Sequence, residues 1–137
     1  FGKNNFGQLG LGDNVISRNT PQKVPGIPFT LSVHAGCSHV ICITKGQSVW
    51  AFGFNNSGQL GLGNTDSQLF PTQISLDNVQ TVACGDHHSL FLLEGGNVFS
   101  CGDNTCGQLG LNHTTRKLIP TQIPNVPRDI EKIGAGG

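Results

Sequence analysis

Charge is scarce in this chain and favours neither sign. Only 12% of its 137 residues are charged, with eight Lys and Arg against eight Asp and Glu. The basic residues (Lys3, Arg18, Lys23, Lys45, Arg116, Lys117, Arg128, Lys132) are scattered and never run beyond two. A nucleic-acid interface shows as a clustered basic excess, so no nucleic acid is expected to bind this segment. Long hydrophobic runs are also missing. The longest are four or five residues, whereas a membrane-spanning helix needs about 20, so no membrane span is expected. No signal peptide is visible. No window of a dozen residues repeats its apolar positions with the helical 3.6 period, which argues against helices. The five cysteines are an odd number without framework spacing. They read as reduced thiols and predict an intracellular setting, cytoplasmic or nuclear.

Glycine, by contrast, is abundant, at 20 of 137 residues, and it recurs on a period. The stretch Phe1-Gly2-Lys3-Asn4-Asn5-Phe6-Gly7-Gln8-Leu9-Gly10-Leu11-Gly12 returns from Phe52 to Gly63 and again from Cys101 to Leu111. Motifs starting at residues 1, 52 and 101 define a repeat of about 50 residues, the mark of a solenoid, propeller or array. Two further blocks fall into the same register. One is Pro21-Gln22-Lys23-Val24, Pro71-Thr72-Gln73-Ile74 and Pro120-Thr121-Gln122-Ile123. The other is Val33-His34-Ala35-Gly36-Cys37-Ser38-His39, then Val82-Ala83-Cys84-Gly85-Asp86-His87-His88, then Ile133-Gly134-Ala135-Gly136-Gly137. Residues 1–137 are therefore expected to form a single partial array of about 2.7 repeats, truncated at both ends.

Within a repeat the signals are for short strands. Val40–Ile43 and Leu90–Leu93 are continuous apolar runs, as expected of strands covered on both faces. A turn containing Gly46, or Gly95 and Gly96, follows each, and then Val49–Phe52 or Val98–Cys101, which reads as a hairpin. The recurring proline belongs at a sheet edge, where its missing N–H does no harm. Three to four strands per repeat with glycines at the turns is the pattern of a propeller blade. The fold class read from this is all-β, with blades of four-stranded antiparallel sheet in a partial, open array.

The string Gly-x-Asn-x-x-Gly-Gln-Leu-Gly-Leu-Gly, the Pro-x-x-Val/Ile block and the Val-x-x-Gly-x-x-His block together resemble the regulator of chromosome condensation repeat family. The resemblance covers essentially the whole chain. It implies a β-propeller, seven-bladed in the founding member, and 137 residues fall short of such a ring. It also implies a protein-binding role. The family includes a guanine-nucleotide exchange factor for a small GTPase, and adaptor domains attached to kinases, ubiquitin ligases and membrane-traffic proteins. In the exchange-factor member, acidic and histidine residues of the Gly-x-x-His turn help engage the GTPase, and Asp86 and His87 match that turn.

Each constellation has an architectural reading beside its chemical one. Gly-Gln-Leu-Gly-Leu-Gly superficially suggests a phosphate loop, but no helix and no Gly-Lys-Ser/Thr ending follows. Gly58, Gly61, Gly107 and Gly110 are accordingly read as structural turn residues. His39 and His88 share one repeat position. A metal-ligand or general-base role stands against a structural one, hydrogen bonding to turn backbone, and recurrence favours the structural role. Cys37 and Ser38 become Asp86 and His87 in the next repeat while their frame stays fixed, and variable positions in a fixed frame are where a repeat protein writes specificity. These four are the candidate binding residues, with a merely solvated turn as the competing reading.

A zinc site is suggested by Cys101 with Cys106 and Cys37 with Cys42. The alignment argues against it, since Cys42, Cys84 and Cys101 replace Phe91, Ala35 and Phe52 and so read as core residues. The glycosylation patterns at Asn55 and Asn112 are read as unused. No catalytic residue, metal or cofactor is assigned. The leading functional reading is a protein–protein interaction module. Part of an exchange factor for a small GTPase is the second reading, and self-association through open blade edges the third.

Overall fold

The computed structural model describes residues 1–137 and contains ten strands and no α-helix. Strands β1 (Gly2–Lys3) and β2 (Ser17–Arg18) pair as a short antiparallel ribbon. The first complete blade is β3 (Thr30–Ala35), β4 (His39–Thr44), β5 (Val49–Gly53) and β6 (Gln68–Ile74), hydrogen-bonded in that order. The second is β7 (Val79–Cys84), β8 (His88–Leu93), β9 (Val98–Gly102) and β10 (Lys117–Gln122), ordered the same way. All neighbours in both blades are antiparallel.

The apolar runs lie in β4 and β8, each second in its sheet and paired on both sides. Pro71 and Pro120 lie in β6 and β10, the edge strands. An edge is the one place in a blade where a missing N–H breaks no ladder.

The two blades share one core. Ile41, Ile43, Val49 and Ala51 of the first pack with Val82, Phe91 and Cys101 of the second, together with Leu60, Ile74 and Val79. Fully burying a side chain the size of Phe91 or Ile41 contributes about 1.5–3 kcal/mol, so this joint welds the blades into one body. The first blade's opposite face stays open. Val33 is 64% exposed, whereas Val82 at the same repeat position is 4% exposed.

The glycine motif folds around its asparagine. Asn4, Asn55 and Asn104 are all buried. Each accepts a hydrogen bond on Oδ1, at 3.0 Å, from the backbone N–H of Leu9, Leu60 or Leu109. Each donates from Nδ2 to carbonyls nine and eleven residues on, as from Asn55 to Asn64 at 3.1 Å and Asp66 at 3.0 Å. The glutamine closes the tight turn inside, with Gln8, Gln59 and Gln108 accepting on Oε1 from the N–H two residues earlier. A buried asparagine needs partners, and it finds them here by stapling the long loop between the blade's third and fourth strands.

Candidate functional site

The turns 36–39 and 85–88 connect the first two strands of their blades, and backbone hydrogen bonds fix both ends of each. Gly36 N–H donates to His39 O at 3.0 Å and Gly85 N–H to His88 O at 2.9 Å. The third strand buttresses the turn from below, with Phe54 N–H donating to Ser38 O at 2.8 Å and Asp103 N–H to His87 O at 2.9 Å. The turns also stack from blade to blade. A Cβ on Gly36 would run into the Gly85 carbonyl oxygen, and one on Gly85 would lie 2.5 Å from the Gly136 oxygen. The rim is therefore rigid backbone carrying replaceable side chains.

On that rim Cys37, Asp86 and His87 are exposed and Ser38 is half-buried. Cys37 and Asp86 line one hollow with Ala35, Cys84, Ala135 and Gly137, so the turns bring these two together. The Asp86 carboxylate reaches toward Gly137, where an added Cβ would lie 2.7 Å from Oδ2. His87 is not part of the hollow's lining, and its ring lies near Phe54, their centroids 5.9 Å apart. The Phe6 ring also lies near Phe54, at 4.6 Å between centroids. This row of three rings has no counterpart in the sequence reading. Its only signal there was the change from Lys3 to Phe54 to Asp103 at one motif position.

The carboxylates add negative charge to the same region. Desolvation works to raise the Asp103 carboxyl, but hydrogen bonds from Thr105, its own neighbour Asn104 and Gln108 outweigh it and hold the group below its ordinary range. Burial lowers the His88 imidazole, and the nearby Asp103 and Asp86 charges partly oppose that.

The frame histidines depart from the sequence reading in one respect. The His39 ring makes no hydrogen bond to turn backbone. Its Nε2 instead lies 2.9 Å from Ser89 Oγ in the next blade, and Ser89 in turn donates to Gln59 O at 2.7 Å. The ring packs over Gly36, whose Cβ position would be 2.5 Å from His39 Cε1, so the imidazole is directed across the blade joint. Ser89 must then accept from His39, which fixes the proton on Nε2 and leaves Nδ1 buried without a partner. Burial, with smaller contributions from the His88 and His87 charges, pushes the His39 imidazole down to about 4. His88 is also buried but makes no such side-chain bond.

Gly58, Gly61, Gly107 and Gly110 all have positive φ, from +67° to +84°. Cys42 and Cys101 are buried, Cys84 is half-buried, and Cys37 and Cys106 are exposed. No three His, Cys, Asp or Glu side chains are grouped so as to hold a metal ion. No helix is long and apolar enough to cross a membrane. Of the glycosylation patterns, Asn55 is fully buried and Asn112 is exposed.

Comparison with known proteins places this geometry. The family model of the regulator of chromosome condensation (RCC1) repeat matches residues 1–43, 47–92 and 95–137. The chain is 43% identical over 91 residues to the protein RCC2 homolog of Xenopus laevis, covering 62% of this chain and 17% of that protein. It is 34% identical over 89 residues to the regulator of chromosome condensation of Mus musculus, covering 63% and 21%. It thus spans about a fifth of the length of these relatives. The structure of Prp20p from Saccharomyces cerevisiae, described with its binding to Gsp1p and histones, superposes with a TM-score of 0.86 at 25% identity, covering 99% of this chain and 36% of Prp20p. Three repeat matches spanning nearly every residue, on two four-stranded blades, establish that the chain belongs to the regulator of chromosome condensation (RCC1) repeat family.

Proposed function

We propose that this chain is a protein-binding scaffold whose contact surface is the rim formed by the turns 36–39 and 85–88. One observation carries the reading. The turns are locked by backbone hydrogen bonds common to both blades, yet the side chains they present, Cys37 and Ser38 against Asp86 and His87, share nothing. A fixed frame with interchangeable exposed side chains suits recognition, which gains from rigidity because little ordering entropy is lost on binding. The test is affinity capture with the chain and with an Asp86→Ala, His87→Ala double variant. A protein retained by the first and lost by the second, at unchanged melting temperature, supports the rim. Equal retention by both refutes it.

A second reading is favoured by the likeness to Prp20p and its binding to Gsp1p. On this reading the rim is part of a guanine-nucleotide exchange factor. Such a factor acts by binding the nucleotide-free GTPase more tightly than the GDP-bound form, which by linkage expels the nucleotide. No bond-making chemistry and no cofactor are required of the scaffold. Comparing the affinity of the chain for nucleotide-free and GDP-loaded small GTPases tests this. Equal affinities, or binding to neither, exclude the exchange role while leaving the scaffold reading intact.

A further inference from the structure

The glutamine of the glycine motif exposes a local conflict in the second repeat. In the third repeat Gln108 is satisfied at both ends. Its Oε1 accepts from Cys106 N–H at 2.9 Å and its Nε2 donates to Asp103 Oδ2 at 2.9 Å. In the second repeat Gln59 Oε1 accepts from Ser57 N–H at 3.0 Å. Its Nε2 is buried with no acceptor, in a residue that is 0% exposed. The two repeats differ at one decisive position, where Asp103 is replaced by Phe54. A buried amide hydrogen without a partner has given up water and received nothing in exchange. Phe54 does not recover the loss as a core residue, because it is only half-buried and lies outside the core cluster. Its ring instead neighbours those of Phe6, 41% exposed, and His87, also exposed. Departures from an otherwise consistent frame concentrate where function demands them.

We infer that Phe54, with Phe6 and His87, anchors a cationic side chain of a protein partner, an arginine laid against the aromatic row. This rests on the reading of the rim as a binding surface and names the chemistry that the surface takes. The sign follows from the surroundings. Asp103 stands at the His87 end of the cluster, its backbone N–H donating to the His87 carbonyl at 2.9 Å, and its carboxylate is in no ion pair, the one ion pair of the chain being Arg18–Asp13. Asp103 accepts only neutral donors, from Thr105 and Gln108. Lys3 holds the position of Phe54 one repeat earlier, so the rim changes sign along its length and the cation belongs at the Phe54–Asp103 end. A guanidinium suits both features, because it stacks on a ring face within about 6 Å of the centroid while its N–H fork reaches a carboxylate.

The probe is acetyl-Gly-Arg-Gly-amide, titrated into the isotope-labelled chain and followed by NMR, with the uncharged citrulline peptide as control. Saturable shifts of the Phe54, Phe6 and His87 ring resonances are expected with arginine, at least tenfold weaker with citrulline. Phe54→Leu keeps the apolar volume and removes the ring face, and should weaken arginine binding about tenfold at unchanged melting temperature. Phe54→Asp should raise the melting temperature, because the new carboxylate pairs Gln59 as Asp103 pairs Gln108, and should abolish the ring shifts. Equal shifts with citrulline, or arginine binding retained in Phe54→Leu, overturn the inference. The failures are separable. Partner capture lost in the Asp86→Ala, His87→Ala variant but undiminished in Phe54→Leu sinks the anchor alone, and capture undiminished in both sinks the rim.

Discussion

His39 and Ser89 stand fifty residues apart in sequence and 2.9 Å apart in space, and their contact joins the first blade to the second. Ser89 hands its own proton to the Gln59 carbonyl at 2.7 Å, so three segments from two blades meet in one buried chain of hydrogen bonds. The chain accommodates only a neutral imidazole. A second proton would place a donor on Nδ1, which is buried and faces no acceptor.

That geometry gives a pH dependence with a definite sign. The folded-state pKa of His39 is about 4 against an ordinary 6.5. Between these values the unfolded chain binds a proton that the folded chain refuses, so stability falls as pH falls from about 6.5 to about 4 and then levels off. Each pKa unit corresponds to about 1.4 kcal/mol, so the loss is on the order of 3 kcal/mol. The lowered His34 and His88 act in the same direction. Urea denaturation at pH 7.5, 5.5 and 4.5 should show this decline, and His39→Gln should flatten most of it. An equally steep decline in the variant would move the effect elsewhere.

Two glycines of the same motif should answer differently to alanine. Gly58 and Gly107 occupy one repeat position with φ of +84° and +77°. A Cβ on Gly58 would lie 2.5 Å from Leu118 Cδ2 and 2.9 Å from Leu118 Cα, while one on Gly107 would meet nothing within 4 Å. Gly107→Ala should cost only the left-handed backbone penalty of about 1–2 kcal/mol. Gly58→Ala adds overpacking of about 1–3 kcal/mol, since the backbone of β10 must move. Chemical denaturation of the two variants measures the difference directly, and equal losses would contradict the packing account.

The repeat, the blades and the edge prolines were legible because each rests on local chemistry that recurs in register. What lay outside the reading depends on partners far away in sequence. Asn55 stood in every copy of the motif, but its role appears only when the chain folds back to Asn64 and Asp66. The serine that receives His39 was harder to see, since the aligned residue one repeat earlier is Val40 and the bond crosses between blades. The ring row was illegible for a related reason. Phe6 follows β1 in the short ribbon, Phe54 follows β5 of the first blade and His87 lies in the β7–β8 turn of the second, and only propeller geometry brings them to one rim.

Asn55→Ala should therefore destabilise more than its surface-like residue type suggests. The change strands the Leu60 N–H and the carbonyls of Asn64 and Asp66 together. Leaving buried groups unpaired costs about 1–3 kcal/mol apiece before relaxation, and solvent reaching the loop recovers part of it. A loss of about 2–3 kcal/mol is expected for Asn55→Ala, with Asn104→Ala close behind because it repeats the bonds. A loss below 0.5 kcal/mol in both, typical of a surface site, would deny the asparagine its stapling role.

The five thiols should divide sharply in reactivity. Burial pushes the Cys42 thiol up to about 11 and Cys84 up to about 12, and it raises fully buried Cys101 as well. The thiolate is the nucleophile, so these three are starved of it at neutral pH and shielded besides. Cys37 and Cys106 are exposed. Iodoacetamide on the folded chain at pH 7.5 should label Cys37 and Cys106, and all five only after denaturation. Rapid native labelling of Cys84, read by peptide mass mapping, would show that the joint between the blades opens.

The sharpest division is between side chains that hold the rim and side chains that it displays. Ser89→Ala removes the acceptor of His39 and the donor to Gln59, both fully buried, and should cost about 1–3 kcal/mol. Asp86→Ala and His87→Ala remove exposed groups whose turn is closed by backbone alone, so each should stay within about 0.5 kcal/mol of the parent chain. Partner capture should reverse the order. The displayed pair should be indispensable, and Ser89→Ala should bind normally below its lowered melting temperature, because the backbone bonds that shape the turn survive it. Measuring melting and capture on the same three variants separates the roles. If Ser89→Ala abolished binding while still folded, and the Asp86 and His87 variants bound normally, the recognition element would be the blade joint rather than the rim.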